Sequence, residues 1–179
     1  MKKLSLFIVC LSALACSRPD FKTELQHVNQ LDSLYAELQT EYAALAQIKQ
    51  QDSAMKVINA DLDFFKDKFD ETNRATFRED VAWISNYRSI RKLVKGAGEN
   101  MKLASKELAI SAKQLKDLRQ DLEEGNAEVE KVKGYIETER NALNLIGKSL
   151  AVLDSNQTEF MKNFEWMKPK IDSIKAKLN

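Results

Sequence analysis

From Val129 to Leu178 the chain repeats one pattern. Apolar residues stand at Val129, Val132, Ile136, Leu143, Ile146, Leu150, Leu153, Phe160, Phe164, Met167, Ile171, Ile174 and Leu178. Each step is three or four residues, or a sum of such steps, the heptad spacing of a helix that buries one stripe against other helices. A single helix cannot hide that stripe from water, so the preceding sequence must supply the opposing surfaces. It does. A first stretch carries Leu25, Val28, Leu31, Tyr35, Leu38, Tyr42, Leu45 and Ile48, then Met55, Ile58, Leu62, Phe65 and Phe69. A second carries Phe77, Val81, Ile84, Tyr87, Ile90 and Val94, then Met101, Ala104, Leu108, Leu115, Leu118 and Leu122.

The expected fold is therefore all-α: an elongated, antiparallel three-helix bundle or coiled coil, with helices over about 21–69, 74–122 and 126–178. Each is about 75 Å long. With 31% charged residues but only 5 Gly and 2 Pro, the composition suits long helices. Asp70, Thr72 and Asn73 are candidate caps in the first turn. In the second, Gly125 suits the left-handed position and Asn126 is a candidate cap. The architecture resembles a spectrin-type repeat in outline, a likeness that carries no function.

Folding the first helix back at about residue 72 and the second at about 124 sets the layers. Ile48, Gly96, Gly98 and Leu150 to Val152 then share one level. The first stripe slips phase there and the glycines interrupt the second, so Gly96 and Gly98 are candidate hinge residues, with close helix contact as the plainer role. The same register sets Trp83 level with Trp166, among Phe64, Phe65, Phe69, Phe77, Phe160 and Phe164. These aromatics form either a wide core or a gripping tip. The two tryptophans, at the edge of the stripe, are the candidate partner-binding residues. The stripe continues through Pro169 to Leu178. Lys168, Lys170, Lys175 and Lys177 near the end read as a solvated face that also suits a helix C-terminus.

The first twenty residues belong to a different kind of segment. Lys2 and Lys3 precede an apolar run from Leu4 to Leu14, too short for a stable membrane span and right for a secretory signal. Ala13-Leu14-Ala15-Cys16 follows. It resembles the lipobox of bacterial lipoproteins, with Ala13 where the commonest pattern has Leu. The resemblance implies a signal peptide over 1–15, a lipidated Cys16 bearing acyl chains such as palmitate, a tether over 16–20 and a bundle domain over 21–179. It also implies that Ser17 favours release to the outer membrane, with the chain facing the periplasm or the outside. The alternative is a secreted protein cut near Ala15, with Cys16 an unpaired thiol. Cys10 follows bulky Ile8 and Val9, and no cysteine lies beyond Cys16.

Catalytic patterns are wanting. His27 is the one histidine, so the Glu24-x-x-His27 spacing cannot be doubled into a carboxylate-bridged di-metal site. Gly96-Ala97-Gly98 lacks the strand and the Lys-Ser/Thr of a phosphate loop. The net charge of +1 is finely mixed, without a basic aromatic stripe, which disfavours nucleic acid. Neither a metal nor a cofactor is expected. Asp32-Ser33-Leu34, Asp52-Ser53-Ala54 and Asp172-Ser173-Ile174 each resemble the Asp-Ser/Thr-apolar sequon for O-glycosylation of some Gram-negative envelope proteins. Ser33, Ser53 and Ser173 are thus candidate modification sites.

The resulting expectation is a non-enzymatic envelope lipoprotein, tied to a membrane by its N-terminal lipid. It would act as a structural or interaction rod for another envelope protein, with homo-oligomers allowed by the regular heptads. The alternative is a sensor-like or chaperone-like bundle that opens near Gly96–Gly98 to hold a ligand or client.

Overall fold

The structure, a computed structural model, describes residues 20–46, 49–69 and 77–178. Helix α1 spans Lys22–Ala46, α2 Lys49–Lys68, α3 Arg78–Ser89, α4 Ala97–Glu124 and α5 Val129–Leu178. A short 3-10 turn, Ile90–Lys92, follows α3. No strand occurs among the described residues. The chain is an all-α bundle of three packed arms: α1 with α2, α3 with α4, and α5.

The long stripe of α5 serves two cores in succession. Val132, Ile136, Leu143, Ile146, Leu150 and Leu153 pack with Val28, Leu31, Leu38 and Leu45 of α1 and with Ala104, Leu108, Leu115, Leu118 and Leu122 of α4. Further along, Phe160, Met167, Ile171 and Ile174 pack with Ala54, Ile58, Leu62 and Phe65 of α2, with Ile84 and Tyr87 of α3, and with Ile90 and Val94 in and just after the 3-10 turn. Fully burying each of the Val, Leu, Ile, Phe and Met side chains contributes about 1.5–3 kcal/mol. The cores part between Leu45 and Ala54, between Val94 and Ala97, and between Leu153 and Phe160. In α5 that seam holds Gln157, whose buried Oε1 has no partner among the described residues.

The second arm differs from the continuous rod expected over 74–122. It is α3, the 3-10 turn, and then α4, restarted after Gly96 at φ +79°. Left-handed backbone is open to glycine and strained for other L residues, which explains a break at this point. Close helix contact is not the reason for either glycine, since a Cβ at Gly96 or Gly98 would meet nothing within 4 Å. The tight approach lies at Gly147, where a Cβ would fall 3.2 Å from Leu38 Cδ2. Gly96→Ala is expected to cost about 1–2 kcal/mol through strain. Gly98→Ala, in ordinary helical backbone, is expected to stabilise by about 0.5 kcal/mol. Urea unfolding of the two variants checks the opposite signs.

At the second turn, Gly125 is left-handed at φ 72°. The Asn126 N–H donates to Asp121 O at 2.8 Å and the Gly125 N–H to Leu122 O at 3.3 Å, the paired closure of a Schellman motif. Asn126 does not cap α5 as anticipated. Its amide donates to Glu124 Oε2 at 2.8 Å, and in the first turn of α5 the Lys131 and Val132 N–H groups find Glu128 O. The proposed caps Asp70, Thr72 and Asn73, and the stripe residue Ile48, lie outside the described residues. Helix α5 runs unbroken through Pro169. Proline removes one intrahelical donor, but here it lies on the exposed face, where water can serve the freed carbonyl.

Candidate functional site

Antiparallel packing of α3 on the second half of α5 brings the two tryptophans together. Their ring centroids are 5.1 Å apart, with planes tilted by 46°. Trp83 is half-buried, whereas Trp166 remains 66% exposed. Lys170 Nζ stands 5.9 Å from the Trp83 ring centroid. An exposed indole backed by a second indole and edged by an ammonium can take an apolar or aromatic side chain with an acceptor beside it. The pair lies about 55 Å along α5 from Val129. Among the surrounding phenylalanines Phe65 and Phe160 are buried, while Phe64, off the stripe, and Phe69 and Phe164, on it, are half-buried and pack against that core.

The same half of α5 holds a polar cluster hidden within the helical spacing. Asp61 is 2% exposed, three residues after Ile58 and four before Phe65, and so stands at a core position. The Tyr87 hydroxyl donates to Asp61 Oδ2 at 3.1 Å, and Lys175 Nζ donates to Oδ1 at 2.7 Å. Lys168 Nζ lies 3.5 Å from Oδ2 and also pairs with Asp172. Burial, and next the Asp61 carboxylate, push the Tyr87 phenol far above its usual range, so it remains a proton donor. Lys177 Nζ reaches Asp80 Oδ2 of α3 at 3.2 Å. The C-terminal lysines are therefore not simply a solvated face. Lys168, Lys175 and Lys177 tie the end of α5 to α2 and α3, and Lys175 Nζ lies 5.2 Å from the Phe64 ring centroid. Unmatched carboxylates buried at Asp61 and Asp80 call for these cations. The signal was Asp61 itself, on the three-four spacing.

The first core contains its own polar residues, Ser111 and Glu139, facing each other from α4 and α5. Burial raises the Glu139 pKa above its ordinary value, partly opposed by the hydrogen bond from Ser111. Its Oε2 has no partner among the described residues. Toward solvent, Arg119 pairs with Asp32 and donates to Asn29 Oδ1 at 2.7 Å, joining α4 to α1.

The remaining candidates are scattered. Gly96 and Gly98 lie at the start of α4, level with the seam. Ser33, Ser53 and Ser173 are exposed on outer helix faces, and the Ser33 hydroxyl donates to Asn29 O at 3.1 Å. His27 is half-buried on α1. Cys10 and Cys16, with the whole leader, lie outside the described residues. Among the described residues, no three His, Cys, Asp or Glu side chains converge as a metal site, and no helix is long and apolar enough to cross a membrane. No family model, curated protein or solved structure matches the chain.

Proposed function

We propose that the chain is a non-enzymatic lipoprotein of the cell envelope, held at the outer membrane through Cys16, whose helical rod engages another envelope protein. The observation that supports this reading best is the exposed Trp166, backed by Trp83, far along the rod from the N-terminal end of α1. Solvent exposure of a tryptophan is costly in water and productive at an interface, where such residues dominate binding energy. The Asp61 cluster ties α2, α3 and α5 together in the same half of the bundle.

The test has two arms. Metabolic labelling with a palmitate analogue should mark the wild-type chain and not Cys16→Ser. Cross-linking capture from the membrane fraction should recover a stable partner. Trp83→Ala/Trp166→Ala should weaken capture about thirtyfold, about 2 kcal/mol, while circular dichroism shows a folded bundle. Unchanged capture by the double variant removes the tryptophan surface, and an unlabelled chain removes the lipoprotein reading.

A second reading is favoured by the divided core and by Gln157 Oε1 at the seam, which has no partner among the described residues. In it, the bundle opens beside Gly96 and Gly98 to hold an apolar ligand or an unfolded client. Thermal stabilisation of the chain by such ligands would mark it.

A further inference from the structure

The two cores treat their interior acids differently. In the second, Asp61 meets the ammonium groups of Lys175 and Lys168 and the Tyr87 hydroxyl. In the first, Glu139 is 4% exposed and stands on the α5 stripe between Ile136 and Leu143. Ser111 of α4, 2% exposed, gives it a hydrogen bond, and its Oε2 has no partner among the described residues. Leu38 lies against Gly147, so Glu139, about two turns earlier on α5, is level with the middle of α1. The half-buried titratable groups around that level are His27, Asp32 and Tyr35 of α1, Glu107 of α4 and Arg140 of α5. Asp32 is paired with Arg119. What acts on the Glu139 carboxyl is burial, which raises its pKa, and the Ser111 hydroxyl, which lowers it, with no charged neighbour taking part. A carboxylate in such a place is costly and a carboxylic acid is not. Once protonated, Glu139 can donate to the Ser111 oxygen, while that hydroxyl turns to a carbonyl one turn back in α4.

The seam confines this cost to one half of the molecule. The first core draws on α1, α4 and the start of α5, and the second on α2, α3 and the end of α5. Between them the second arm is a 3-10 turn and the left-handed Gly96. Units joined so loosely can open separately. We propose that Glu139 is a proton-operated switch for the α1–α4–α5 half of the bundle. Protonated, it lets the three helices close on a neutral core. Ionised, it makes α1 and α4 part from α5 more often, while the half that carries the tryptophan pair keeps its alignment. The sign follows from proton binding: the closed half holds this proton more tightly than the open half, so acid favours closure and rising pH favours opening. The switch requires neither lipidation nor a partner.

Hydrogen exchange of the full chain, read amide by amide by NMR from about pH 4 to about pH 7 and corrected for intrinsic rates, tests it. The amides of Leu108, Leu115 and Leu143 should lose at least about threefold in protection as pH rises, and those of Ile84, Phe160 and Ile171 should not. Glu139→Gln is neutral at every pH, so its first half should hold one level of protection throughout. Ser111→Ala removes the hydrogen bond that favours the carboxylate, so the loss should move to higher pH. Circular dichroism at both ends of the range checks that each variant is folded. Should a variant fail to fold, the parent profile alone still decides between one half and both. Equal loss in the two halves, or no loss in the parent, overturns the proposal. So does a loss that persists in Glu139→Gln, which makes another group responsible, or a Ser111→Ala profile that stays at the parent pH.

Discussion

Asp61→Ala is expected to lower the unfolding free energy by about 3 kcal/mol, through loss of a buried charge network. For a chain of this size that is a fall in Tm of about 6–12 °C. Removing the carboxylate strands the buried Tyr87 hydroxyl and takes from Lys175 its carboxylate partner, while Lys168 keeps Asp172. The lysine side chains are 29% and 24% exposed, so part of their charge can turn to water, which holds the cost below that of a fully interior pair. Asp61→Asn keeps an acceptor for Tyr87 and should cost about half as much. Tyr87→Phe should cost about 1 kcal/mol. Urea denaturation at neutral pH measures all three. An Asp61→Ala variant as stable as the parent would show that the cluster contributes nothing to holding α2, α3 and α5 together.

Glu139→Leu is expected to do the reverse, raising stability at pH 7 by about 2 kcal/mol. The new side chain would continue the stripe between Ile136 and Leu143 and remove an acceptor that has no partner among the described residues. Ser111, deprived of its carboxylate, can turn its hydroxyl to a carbonyl one turn back in α4. The parent should also show a particular pH dependence. The Glu139 carboxyl has a raised pKa in the fold against an ordinary 4.5. Well below 4.5 it is protonated in both states and costs nothing. As pH rises through 4.5 the unfolded chain gives up the proton first, so stability falls until the raised folded value is passed and then levels off. Chemical denaturation across this acidic range should show the fall in the parent and its absence in Glu139→Gln and Glu139→Leu. A parent whose stability difference from Glu139→Gln is constant with pH would refute the assignment.

Much of the architecture was legible because apolar periodicity reports which face of a helix is buried. The α5 stripe, the left-handed Gly125 and the shared level of Trp83 and Trp166 all follow from spacing. The interior polar residues did not emerge, because a stripe traced only through apolar residues passes over Asp61, Glu139 and Gln157. Yet each stands on the three-four step, and a polar residue at such a step needs a partner elsewhere in the chain. The broken second arm was half visible. Two glycines marked the place, but seven residues separate Val94 from Met101, so the heptad count alone keeps its phase across the gap. Which glycine turns left-handed depends on how α3 and α4 meet α5, which is tertiary information.

Helix α5 crosses the seam intact while the opposing arm there is a 3-10 turn and a left-handed glycine. The molecule is thus two short bundles threaded on one spine. Tension between its ends loads that spine along its own hydrogen bonds, whereas sideways force finds the weaker level at Gly96 and Gln157. Such a mast yields at a joint before it uncoils, and each half can loosen while the other keeps its alignment.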